Sequence, residues 1–189
     1  AAKAISLGSY GIDINFGCPS KTVNRSQGGA ILLKEPESLY KVVNAVRSSL
    51  PKPTIVSAKM RLGFEDTHLM LDNAAALESA GADEITVHAR TRLQGYAPPA
   101  HWHELARIRD HIKIPIIANG DIIDKSSYAA CKAASGIDDV MVGRGAVRLP
   151  NLAQVLRGNT QPLEWTNIEP LLLLFWSDIQ QTLSPRDSL

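Results

Sequence analysis

The chain has 189 residues, the size of one ordinary domain or of one domain with a tail. Hydrophobic residues make up 44% and charged residues 21%, a globular composition that excludes a disordered chain. Twenty Lys and Arg against nineteen Asp and Glu leave a formal charge of +1, which excludes a strongly basic nucleic-acid coat and an acidic tail protein but leaves room for a local basic patch.

Ala1–Leu7 reads as the last turns of a helix, and Gly11–Asn15 as a strand. Pro36–Leu50 reads as a helix with Leu39, Val42, Val43 and Val46 on one face. The strand Thr54–Lys59 follows, then a helix over Thr67–Ala80 with Asp66 or Thr67 as N-cap and Gly81 closing it. Glu84–His88 is a strand, Trp102–His111 a helix, Ile114–Ala118 a strand, and Ser126–Ser135 a helix stopped by Gly136. Asp139–Val142 is a fifth strand, and Asn151–Arg157 starts another helix. The polar stretch 159–167 reads as a linker into an apolar helix over Ile168–Leu183. The longest apolar run, Leu171–Trp176, is too short to span a bilayer, so no membrane partner is expected. No signal-peptide pattern opens the chain. The two cysteines, Cys18 and Cys131, form neither a disulfide framework nor a metal cluster, and they fit the reducing cytoplasm.

Strict βα alternation predicts an α/β fold with a parallel sheet. The polar and reactive residues sit just after the strands: Asn15 and Cys18, Lys59 and Arg61, His88 with Arg90 and Arg92, Asn119-Gly120-Asp121, and Gly143-Arg144-Gly145. Every strand contributes, as in the (β/α)8 TIM barrel, whose site is built from its βα loops; an open doubly wound sheet would concentrate its site at one switch point. Five strands cannot close such a barrel. The expectation is a partial barrel lacking about three N-terminal βα units. The alternative is a complete, smaller α/β domain.

The glycines of the last two loops leave backbone N–H groups free to approach an anion, and Arg144 adds a charge-assisted contact. Between the loops after a barrel's last two strands, that pattern suggests a phosphate site. Lys59 closes an apolar strand, where its ammonium can stabilise an anionic ring or oxygen; the plain alternative is a snorkelling lysine. Cys131, in an Ala-rich helix, reads as core. Cys18 sits in a loop flanked by Gly17 and Pro19. A thiol is mostly protonated near neutral pH, and no histidine neighbours this one, so general acid is preferred over nucleophile. His88 suits a hydrogen bond to a ring or phosphate, or is a satisfied strand-end histidine. Lys21 and Arg25 beside Cys18, together with Arg90, Arg92 and Tyr96, suit a nucleic-acid strand or base; a solvated loop explains the charges equally well.

The strings DINFGCPSKTVNRSQGGAILL, KMRLG, HARTRLQGY, PIIANGDI and VMVGRGA, in this order and spacing, resemble the tRNA-dihydrouridine synthases, most of all their C type. The resemblance runs to about Leu156. It implies an FMN-binding TIM barrel over 1–160, followed over 161–189 by the linker and first helix of a tRNA-binding helical domain. It implies NADPH as reductant, tRNA as substrate, and reduction of a D-loop uridine, position 16 for the C type. On the matching positions, Cys18 is the proton donor, and Lys59 and His88 contact the flavin. Asn119, Gly120, Asp121, Gly143 and Arg144 hold its phosphate end. Asn15 and Tyr96 face the uridine, with Lys21, Arg25, Arg90 and Arg92 toward RNA or flavin. The expected assembly is a cytoplasmic monomer without metal. The family's opening strands carry a Pro-Met segment and a Gln that cradle FMN, and residues 1–189 contain neither. Weak FMN binding and little activity are therefore expected of this chain alone. Two alternatives stay open: another FMN barrel acting on a small molecule, such as a dihydroorotate dehydrogenase or an ene-reductase, and an inactive truncated chain or binding module.

Overall fold

A computed structural model describes residues 1–182. The elements run α1 (Ala2–Ser6), β1 (Gly11–Asn15), α2 (Lys21–Arg25), a 3-10 turn (Gly29–Lys34), α3 (Pro36–Ser48), β2 (Ile55–Arg61), α4 (Met70–Ser79), β3 (Glu84–His88), α5 (Trp102–Arg109), β4 (Ile116–Asn119), α6 (Lys125–Ser135), β5 (Val140–Met141), α7 (Arg144–Arg148), α8 (Leu152–Leu156) and α9 (Trp165–Thr182).

The five strands form one sheet in the order β1-β2-β3-β4-β5, and every neighbouring pair is parallel. A doubly wound sheet reverses strand order at a switch point; this sheet does not. The connecting helices pack in the same succession, α3 on α4, α4 on α5, α5 on α6 and α6 on α8. Sequential parallel strands behind sequential helices make the arc of a (β/α)8 barrel.

Period-2 alternation gives the sheet two unlike faces. Val56, Ala58, Met60, Ile85, Val87, Ile116 and Ala118 belong to the buried core with Leu39, Val43, Leu77, Leu105 and Ile108 of the helices. The alternate positions are mostly polar: Asp13 and Asn15, Ser57, Lys59 and Arg61, Glu84, Thr86 and His88, Asn119. The helix-covered face supplies the burial energy, and the other face carries the chemistry.

Several boundaries differ from the sequence expectation. β2 runs on to Arg61, because the alternation continues past Lys59. α4 starts at Met70, without a side-chain cap. Asp66 instead accepts from the backbone N–H of His68 at 3.0 Å and pairs with its ring, which closes a separate turn. α6 has a capping box: Asp124 accepts from the Ser127 N–H at 2.8 Å, and the Ser127 hydroxyl accepts from the Asp124 N–H at 3.0 Å. Gly136, at φ +67°, ends the helix in the left-handed conformation. The short helices α2 and α7 and the 3-10 turn were not anticipated, since one turn leaves too few residues for a periodic signal. α9 begins at Trp165, inside the expected linker, with Pro170 in its interior. Leu183, the expected end of that helix, lies outside the described residues, as do the last residues of 161–189. No helix among the described residues is long and apolar enough to cross a membrane.

Candidate active site

Parallel register places the polar side chains in rows across the sheet. Asn15 pairs with Lys59. One step nearer the C-terminal ends, Arg61 pairs with His88, His88 with Asn119, and Asn119 with Met141. These rows form the floor of a cleft of about 420 Å³ whose walls are the loops after β1, β3, β4 and β5. Ten of the expected site residues line it: Asn15, Cys18, Lys59, His88, Tyr96, Asn119, Gly120, Asp121, Gly143 and Arg144.

Cys18 is held by its own loop and by two neighbouring segments. The Gly17 N–H donates to Asn15 Oδ1 at 2.8 Å, and the Gly17 carbonyl accepts from Arg61 Nε at 2.9 Å. The Cys18 carbonyl accepts from Asn24 Nδ2 at 2.9 Å and from the Ala30 N–H at 3.1 Å. Gly29, at φ +66°, passes so close that a Cβ there would lie 2.9 Å from both the Cβ and the carbonyl oxygen of Cys18. The Gly-Gly pair at 28–29 thus lets the chain fold back against the cysteine.

On the far side, Trp102 Nε1 donates to the Gly120 carbonyl at 2.9 Å, and Asn119 Nδ2 donates to the Met141 carbonyl at 2.8 Å, tying β4 to β5. Gly120 has φ +122°, and a Cβ there would meet His88 Cδ2 at 3.1 Å. Asp121 spends both carboxylate oxygens on arginines, one on Arg90 and one on Arg144 at 3.0 Å. Its carboxylate is thus engaged by the two guanidiniums, while the residue itself lines the cleft. Tyr96 lies close to two guanidiniums, Arg61 with Cζ 5.2 Å from the ring centroid and Arg144 at 5.4 Å, with the His88 ring centroid 6.0 Å away.

Four expected contact residues do not line the cleft. Lys21 and Arg25 stand exposed on α2, one turn beyond Cys18. Arg90 is fully buried behind the wall. Arg92 lies over the Phe64 ring, 5.1 Å from its centroid. The two arginines of HARTR look like one basic loop in sequence, but the ion pair with Asp121 draws Arg90 inward. Arg61 is the main residue the sequence reading left out of the site. Its signal was available: two positions after Lys59 on a strand, it must share Lys59's face.

Burial lowers the pKa of Lys59; the Arg61 charge adds to the effect and Asp13 opposes it. His88 is pushed down to about 3, first by burial and then by Arg61, Lys59 and Arg90, with Asp121 opposing. The cleft therefore holds a neutral imidazole among cations. It suits an anionic ligand with a planar polar ring, and FMN fits that description: three cations, Lys59, Arg61 and Arg144, face it, and nothing lies within 4 Å of where a Gly143 Cβ would stand. The volume lies in the usual range of roughly 300–1,000 Å³ for small-molecule sites.

The sequence profile of the dihydrouridine synthase (Dus) family matches residues 1–181. The chain is 48% identical over 191 aligned positions to a tRNA-dihydrouridine(16) synthase of Aquipseudomonas alcaligenes, covering 98% of this chain and 61% of that protein. It is 49% identical to the enzyme of that name from Pseudomonas syringae pv. tomato, covering 93% of this chain and 57% of the relative. With the one from Shewanella oneidensis it shares 44% identity, over 100% of this chain and 59% of the relative. The chain thus spans about three-fifths of the length of these relatives. Profile and relatives agree over nearly the whole chain, and it belongs to the dihydrouridine synthase family.

Proposed function

We propose that the full-length protein reduces a uridine in the tRNA D-loop, at position 16, to 5,6-dihydrouridine, with FMN as cofactor and NADPH as reductant. The observation that carries this reading is one cleft that joins a loop-pinned Cys18 to Lys59, His88 and Arg144, in a chain whose relatives bear the name tRNA-dihydrouridine(16) synthase.

When bound and reduced, FMN supplies a hydride to C6 of the uridine. Negative charge then builds at C5 and on the C4 carbonyl oxygen. The Cys18 thiol gives its proton to C5, so hydride and proton together saturate the C5–C6 double bond. Asn15 keeps its Nδ2 donors for a pyrimidine carbonyl, since among the described residues only its Oδ1 is engaged, by Gly17. Lys59, beside Asn15 in register, contributes a fixed positive charge that stabilises developing negative charge. Arg144, steadied by Asp121, and the open backbone at Gly143 serve the phosphate end. Lys21 and Arg25 on the exposed α2 supply positive charge for the tRNA backbone. The target base must leave its stack to reach Cys18. The reaction belongs to the cytoplasm, where tRNA and NADPH are both at hand.

The test incubates the full-length protein with FMN, NADPH and tRNA from cells lacking dihydrouridine, then maps the product by nucleoside mass spectrometry. Dihydrouridine at position 16 is expected. Flavin bound and reduced with no dihydrouridine in tRNA, but turnover of a free uracil-like compound, would instead favour a small-molecule flavin enzyme.

A further inference from the structure

Arg90 is completely buried beneath the cleft. Its Nε donates to the Ala97 carbonyl at 2.6 Å, and one terminal nitrogen pairs with Asp121. The other terminal nitrogen stands 3.3 Å from Nε2 of His88. A guanidinium has donors only. Nε2 must therefore present its lone pair, and the ring's single proton must lie on Nδ1. Among the described residues Nδ1 has no hydrogen-bond partner, while the ring lines the cleft. The Cδ2–Nε2 edge packs on Gly120, where even a Cβ would come within 3.1 Å of Cδ2.

We propose that Arg90 is a positioning residue that fixes His88 as its Nδ1–H tautomer, so that His88 offers a hydrogen-bond donor to a carbonyl oxygen or ring nitrogen of the cleft's ligand and takes no part in proton transfer. The charged groups around the ring agree. Lys59 and Arg61 of β2 and Arg90 just after β3 disfavour an imidazolium, and Asp121 after β4 is the one carboxylate opposing them. Tyr96 borders the ring as the neighbouring aromatic. The ligand's class rests on reading the cleft as a cofactor site; the tautomer does not.

The experiment is two-bond ¹⁵N–¹H correlation of the histidine rings in the full-length protein, with His88 assigned from the His88→Gln variant. The expected pattern is an unprotonated Nε2 and a protonated Nδ1, unchanged from about pH 8 to about pH 5. A protonated Nε2, or an imidazolium at neutral pH, would overturn the proposal. In Arg90→Met the lone pair loses its donor, and the pattern is expected to move toward the Nε2–H form. A folded Arg90→Met protein that kept the original pattern would remove Arg90 from its role. Should that variant not fold, the wild-type pattern still decides the tautomer. An Nδ1–H ring in a protein that forms no dihydrouridine would refute the proposed function and uphold this inference.

Discussion

Arg61 donates through Nε to the carbonyl of Gly17 at 2.9 Å, and Gly17 is the residue before Cys18. One terminal nitrogen of the same guanidinium donates to the carbonyls of Thr91 at 3.1 Å and Gly95 at 2.8 Å. A side chain at the end of β2 therefore ties the loop that carries the cysteine to the loop that carries Tyr96. Replacing it with methionine keeps much of the packing and strands three carbonyls. We expect Arg61→Met to lower stability by about 3 kcal/mol, read from urea unfolding. A loss below about 0.5 kcal/mol would show that water or loop movement satisfies those carbonyls.

Lys59 is expected to contribute to cofactor affinity through a charge-assisted contact. Lys59→Met removes the charge and keeps the buried stem. FMN titration followed by flavin fluorescence should show affinity weakened about tenfold or more. Unchanged affinity together with an unchanged rate of hydride transfer would reduce Lys59 to a snorkelling lysine.

His88 couples the site to acid stability. Its pKa is about 3 in the folded protein against 6.5 for the ordinary group. Between those values the unfolded chain binds the extra proton, so stability is full above about pH 6.5 and is lost as pH falls. From about pH 7 to about pH 5 the loss should be on the order of 1 kcal/mol, allowing for solvent screening. The depressed carboxylates Asp66 and Asp124, whose ordinary value is 3.8, act at lower pH. Urea midpoints at both pH values, for wild type and His88→Gln, isolate the effect, because the variant should lose this slope. An equal slope in both proteins would place the titrating group elsewhere.

Asp124 caps α6 through the Ser127 N–H. Asp124→Ala should cost about 1 kcal/mol in thermal or urea unfolding. Because the cap lies outside the cleft lining, FMN affinity should not change; a parallel loss of affinity would mean that α6 transmits its start position to the Gly120 loop.

Much of this was legible in the sequence. Five apolar strands alternating with amphipathic helices predicted the sheet, and the placement of Cys18, Lys59, His88 and Asn119 after strands predicted the cleft. Local pattern could not show what depends on a distant partner. Arg90 and Arg92 are alike in sequence, and partners from elsewhere, the Asp121 carboxylate with the Ala97 carbonyl and the His88 ring, separate a buried strut from a residue stacked on Phe64. The ion pairs of the Asp121 carboxylate are not legible in its tripeptide, because the two arginine partners come from other loops. Arg61 stands in the sequence as a polar residue beyond the strand end, and alternation carries β2 to it and puts it on the face of Lys59.

Whether Cys18 delivers the proton to C5 is decided by separating the two half-reactions in the full-length protein. Cys18→Ala should bind FMN and accept electrons from NADPH at the wild-type rate. When the reduced enzyme is then mixed with dihydrouridine-free tRNA, flavin reoxidation and dihydrouridine formation should fall together by roughly 10² or more. Wild-type reoxidation by tRNA in the Cys18→Ala protein, with dihydrouridine formed at the normal rate, would show that Cys18 is not the proton donor.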